Sequence, residues 1–157
     1  MNFFYFSRVL SGCLTPIIAI IAVYIAYQQF NVNRRKLKFE LYERRYKMYL
    51  FIKEFLDHYN RDYIYKIEEF RKFNIQTNEC KFLFDKDINS LIHEIQQNVI
   101  KLMTIGDRLS TSNFSLEDSP IKKEVESEQV KLKQWFHDLY FDIESHFMDY
   151  LKFKQIK

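Results

Sequence analysis

Two regimes of hydrophobic patterning follow one another along the chain. From Val9 to Tyr27 the sequence VLSGCLTPIIAIIAVYIAY runs nineteen positions without a charge, roughly 28 Å as a helix at 1.5 Å per residue, close to the thickness of a bilayer core. Beyond it, apolar residues recur at helical spacing among charged ones. The first such stripe holds Leu37, Leu41, Met48, Ile52, Phe55, Tyr59, Ile67 and Phe70, and predicts a helix running on to about Phe73. From Asn74 to Phe84 the periodicity lapses, as in a connection. Asp85 and Asp87 are N-cap candidates for a second helix. Its stripe is Ile88, Leu91, Ile92, Ile95, Val99, Leu102, Met103 and Leu109. A polar loop follows over 110–119. Ser119 and Pro120 then open a third helix, where proline's missing N–H costs nothing, with Val125, Leu132, Phe136, Leu139, Ile143, Phe147 and Tyr150 as its apolar face.

The predicted fold is therefore all-α: one N-terminal transmembrane helix continuing into a cytoplasmic three-helix antiparallel bundle. Its divisions are a short outer terminus at 1–8, the span at 9–30, a basic juxtamembrane stalk with the first bundle helix at 31–73, the connection at 74–84, and helices at 85–109 and 120–153. A cleavable signal peptide would have an apolar region of about 7 to 15 residues and a small-residue cleavage site. Here the run is longer and leads into Asn33, Arg34, Arg35, Lys36 and Lys38. A buried helix of a soluble fold would need surroundings as apolar as itself, which the rest of the chain does not offer.

Composition sharpens the picture at two points. Only two glycines and two prolines occur in 157 residues, which excludes turn-rich sheet folds and leaves no breaker between Pro16 and Gly106. The net charge of +3 conceals an uneven distribution. Residues 34–53 carry eight cations against two carboxylates, a net of +6, whereas 54–157 carry fifteen against nineteen, a net of −4. Arg8 is the only charged residue before the span, so the positive-inside tendency places the amino terminus outside and the bulk of the chain in the cytoplasm. Tyr5, Phe6, Tyr24, Tyr27 and Phe30 lie where interfacial aromatics sit. Cys13 and Cys80 fall in different environments and imply neither a disulfide nor a zinc framework.

Three stretches bear a resemblance. YQQFNVNRRKLKFELYERRYKMY (Tyr27 to Tyr49), FLFDKDI (Phe82 to Ile88) and WFHDLYFDIESHFMDYLKF (Trp135 to Phe153) resemble a group of small bacterial single-pass membrane proteins with a basic juncture and a helical cytoplasmic part. The resemblance implies a bacterial membrane protein and no chemistry; the apolar run and its flanking charges add the expectation of a signal-anchor in the plasma membrane. This chain departs from the group's pattern at Asp85, where glycine is usual, and at Asp149, where proline is usual; both lie at helix ends.

Candidate chemistry is sparse. His93-Glu94 lacks the second histidine four residues on that a zincin helix needs, and no serine has a nucleophile elbow's flanking glycines. His137 with Asp138, and Glu144 with His146, are spaced so that they do not face one another on a helix. No catalysis, metal or cofactor is expected. The cations Arg34, Arg35, Lys36, Lys38, Arg44 and Arg45 lie close to the span, where Lys and Arg contact lipid headgroups; the acidic part of the chain would repel nucleic acid, and none is expected as a partner. Ser11, Thr15, Ala19, Ala22, Ala26 and Gln29 form a seam of small and polar residues through which two spans can approach, a route to homo-oligomers. Trp135, Phe136 and Tyr140 open the densest aromatic stretch; exposed, they would be the candidate surface for an unknown protein partner, while the alternative is that most of these rings fill the bundle core or rest on the first helix. The expectation is a membrane-anchored interaction or assembly module; the alternative is an effector that oligomerises through its span and permeabilises the membrane.

Overall fold

The computed structural model describes residues 3–62, 66–111 and 120–152, with side chains from Leu14 onward apart from Thr15, Arg61, Asp62, Ser110, Thr111, Pro120 and Ile121. Among the described residues the fold is all-helical. Five helices follow one another: α1 (Phe3–Asp62), α2 (Ile67–Thr77), the single turn α3 (Cys80–Leu83), α4 (Lys86–Thr111) and α5 (Pro120–Leu151). The chain divides into two compact units, Met1–Leu41 and Tyr42–Lys157.

The first unit is α1 alone, helical through Pro16. Its side chains from Pro16 to Phe30 are exposed on every side, including Ile17, Ile18, Ile20, Ile21, Val23 and Ile25. Among the described residues no helix is long and apolar enough to cross a membrane. The described part of the apolar run, Leu14 and Pro16 to Tyr27, is shorter than the roughly twenty residues a bilayer core requires and passes into Gln28, Gln29 and Asn31. The predicted span thus lacks support from these residues; the side chains of Val9 to Cys13 and of Thr15 lie outside them.

The second unit closes a core that all its helices share. From α1 come Met48, Tyr49, Ile52, Phe55, Leu56 and Tyr59; from α2, Phe70 and Phe73; around α3, Cys80, Leu83 and Phe84. From α4 come Ile88, Ile92, Ile95, Val99 and Leu102, and from α5 Phe136, Leu139, Ile143 and Phe147. Rings lock α1 to α5: Tyr49 meets Phe147 at 5.5 Å and Tyr59 meets Phe136 at 4.5 Å between centroids. Ascending positions on α1 meet descending ones on α5, so the two helices run antiparallel.

The first bundle helix ends earlier than its stripe predicts. A helix continued to Phe73 would carry Phe70 about 16 Å past Tyr59 along the axis, beyond the core. Instead α1 ends at Asp62, and α2 starts after Lys66, with Glu68 and Glu69 favourably placed in its first turn. The reversal lays Phe73 on Phe55 at 4.0 Å and beside Phe51 at 6.0 Å. The predicted connection at 74–84 likewise holds the end of α2 and the turn α3. Thr77, buried there, is satisfied by donating its hydroxyl to the Phe73 carbonyl at 2.8 Å.

Candidate functional site

Three sets of residues stand out on sequence grounds, and the structure treats them differently. At the juncture, Arg34, Arg35 and Lys36 are exposed and Lys38 is half-exposed. Lys36 approaches Glu40 at 4.0 Å one turn on, whereas Arg34, Arg35 and Lys38 make no hydrogen bond or ion pair among the described residues. Arg44 is exposed and lines a hollow beside α2.

Arg45 does not belong with the cations left open for headgroup contact. Its Nε donates to the Leu83 carbonyl at 2.8 Å, and its guanidinium lies 5.3 Å from the Tyr150 ring centre and 6.0 Å from that of Phe84. The planar guanidinium can satisfy the last turn of α3 and stack on rings at once, which a lysine could not. Next to it the Tyr150 hydroxyl donates to Asp85 Oδ2 at 3.1 Å. Partial burial first, and then that hydrogen bond, push the Tyr150 phenol upward. Asp85, placed directly before α4 as a cap candidate would be, thus also ties α4 to α5.

In the small-residue seam Ala19, Ala22, Ala26 and Gln29 are exposed on α1, and Gln28 Nε2 donates to the Tyr24 hydroxyl at 2.9 Å. The side chains of Ser11 and Thr15 lie outside the described residues.

The aromatic surface is corrected at one position. Phe136 is 0% exposed, packed against Tyr59 and edge-on to Trp135 at 4.9 Å; it is core and unavailable to a partner. Its place in the middle of the core face of α5, with Leu139 and Ile143, forces this. Trp135 and Tyr140 are half-buried. The ring that faces outward is Phe141, 70% exposed and edge-on to His137 at 4.9 Å. Helical periodicity carries that signal: Phe141 lies about 140° around the helix from Phe136.

Between α1 and α2 a groove holds two open hollows of about 260 and 300 Å³ that share Phe51 and Gln76. His58 and Glu69 approach at 3.8 Å across one end, while Arg44, Lys47 and Glu79 line the other. Among the described residues no group of three or more His, Cys, Asp or Glu side chains is placed to hold a metal ion. His146 does meet a carboxylate, Asp142 at 3.4 Å, through an i,i+4 spacing rather than the Glu144 pairing that adjacency suggests. Cys80 is fully buried, and desolvation pushes its thiol up to about 12. It is a small hydrophobe of the core and a poor nucleophile. Lys53 donates to the Tyr49 hydroxyl at 3.2 Å and lies 3.9 Å from Glu144, contacts that raise its pKa, the Tyr49 bond most. In comparisons with family models, curated proteins and solved structures, the chain matches none.

Proposed function

We propose that the protein is a membrane-anchored helical interaction module: α1 enters the bilayer through Val9–Tyr27, and the helical unit from Tyr42 onward is presented in the cytoplasm to a protein partner. One observation carries the reading. The apolar side chains of α1 from Ile17 to Ile25 are exposed around its whole circumference, a surface that water disfavours and that soluble monomers rarely leave open. In sequence this surface continues back to Val9 without a charge and forward into the cations from Arg34, the order expected at a membrane exit. Ala19, Ala22 and Ala26 give two such helices room to approach, so the module assembles as a homo-oligomer.

Expression in bacteria with fractionation tests the anchor. The chain should resist carbonate extraction and expose a carboxyl-terminal tag only to cytoplasmic protease; recovery in the soluble fraction removes the proposal. Crosslinking in native membranes tests the assembly, which Ala22→Leu with Ala26→Leu should abolish. Depolarisation of the membrane on expression would instead favour the permeabilising effector over the module.

A further inference from the structure

We infer that the juncture segment of α1 from Phe30 to Leu41 binds anionic phospholipid headgroups in preference to zwitterionic ones, through Arg34, Arg35 and Lys38. The inference rests on the membrane-anchor reading and specifies the lipid that the anchor meets. Its ground is how charge and apolar surface are distributed around one helix. Successive residues turn by about 100°, so Arg34, Lys38 and Arg35 share an arc of about 100°, while Lys36, paired with Glu40, lies about 100° beyond it.

The apolar side chains flank that arc on two opposite faces. Phe30 and Leu37, 64% and 66% exposed, share one face. Val32 and Phe39, 60% and 53% exposed, share the opposite one. A helix that docks on an acidic protein surface or in a nucleic-acid groove, or lies flat on a bilayer, buries one face and keeps the opposite one polar for water. A helix with exposed apolar groups on opposite faces and unpaired cations between them matches an environment that surrounds it and offers both acyl chains and anionic oxygens at the same depth. The headgroup layer of a bilayer crossed by the helix is that environment, since long cationic side chains lay their stems on apolar surface and lift their charges to phosphate.

Charge complementarity selects the lipid. Glu40 is the only carboxylate in the segment, and it lies toward Lys36. Arg34, Arg35 and Lys38 have no protein partner among the described residues. Arg45, by contrast, is engaged by Leu83, Phe84 and Tyr150 and contributes nothing to headgroup binding.

The test reconstitutes the full chain in nanodiscs of equal phosphatidylglycerol and phosphatidylcholine and counts, by native mass spectrometry, the lipids retained. The intact chain should retain phosphatidylglycerol several-fold over phosphatidylcholine. Each cation removed should lower that preference by up to about fivefold, and Arg34→Gln, Arg35→Gln and Lys38→Gln together should bring the ratio near one. A control removes the same charge from the helical unit through Lys81→Gln, Lys86→Gln and Lys131→Gln, and should leave the preference intact. Equal retention of both lipids by the intact chain overturns the inference while leaving the anchor standing. A control as damaging as the juncture variant overturns it as well, since net charge would then be the cause. Failure of the chain to enter the discs removes the anchor and the inference with it, and one-sided capture of nucleic acid by the same cations would assign them to a different ligand.

Discussion

Replacing Phe136 with alanine, beside a matched replacement of Phe141, separates core from surface on α5. The Phe136 ring has no exposed surface and meets the rings of Tyr59 at 4.5 Å and Trp135 at 4.9 Å. Burying a phenylalanine side chain contributes about 1.5–3 kcal/mol of transfer free energy. Each ring pair adds about 0.5–1.5 kcal/mol, and the vacated volume in the close-packed core is only partly refilled. Together these place the loss at about 3–5 kcal/mol, the usual range for phenylalanine-to-alanine changes in a core. That is a large share of the about 5–15 kcal/mol by which a domain is stable. Phe141, 70% exposed, should cost no more than about 0.5 kcal/mol. The chain's single tryptophan, Trp135, is edge-on to Phe136 and half-buried, so its fluorescence reports the core directly during urea denaturation of the detergent-solubilised chain. The midpoint should fall steeply for Phe136→Ala and stay near the parent for Phe141→Ala. Equal losses for the two variants, or a Phe136→Ala loss below about 1 kcal/mol, would refute the assignment of Phe136 to the core.

Arg45→Leu should destabilise the helical unit by about 2 kcal/mol in the same urea assay, because the Leu83 carbonyl loses a charge-assisted donor and two rings lose their cation; Arg45→Lys should recover only part of this. Tyr150→Phe removes an exposed bond to Asp85 and should change stability by no more than about 0.5 kcal/mol. Cys80 should resist alkylation at pH 8 in the folded chain and react at once in urea, as followed by mass spectrometry. Its thiol, raised from 9.0 to about 12, keeps its proton in the folded state while the unfolded chain loses it, so its contribution to stability should decline as pH rises from about 9 toward 12.

The all-helical class was legible because glycine and proline are scarce and apolar positions recur with one period. The cleanest stripe, from Ile88 to Leu102, lies on α4 and supplies five core residues. The reversal between α1 and α2 was not legible. The residues between the two helices include no glycine or proline, and Ile67 and Phe70 keep the phase of the preceding stripe, so the pattern does not mark the end of α1; the packing of Phe73 on Phe55 is a tertiary contact that periodicity does not reveal. Charge alone also could not sort the juncture cations. Arg45 differs from Arg44 only in facing α3, a neighbour that periodicity does not reveal. Phe136 carries two conflicting signals: local aromatic density says nothing about direction, whereas its helical phase with Leu139 and Ile143 puts it on the core face, where it lies.

The fold-back of α2 onto α1 also sets an order in which the unit is made. Phe55 and Phe73 are eighteen positions apart, Tyr59 and Phe136 seventy-seven. Closing the longer loop costs about 1 kcal/mol more in chain entropy, which favours formation of the α1–α2 hairpin before α5 docks. During synthesis the hairpin leaves the ribosome while the rings that cover Tyr49, Tyr59 and Phe84 are still untranslated. A chain that ends before α5 therefore presents a bare aromatic face, the kind of surface that chaperones and proteases recognise.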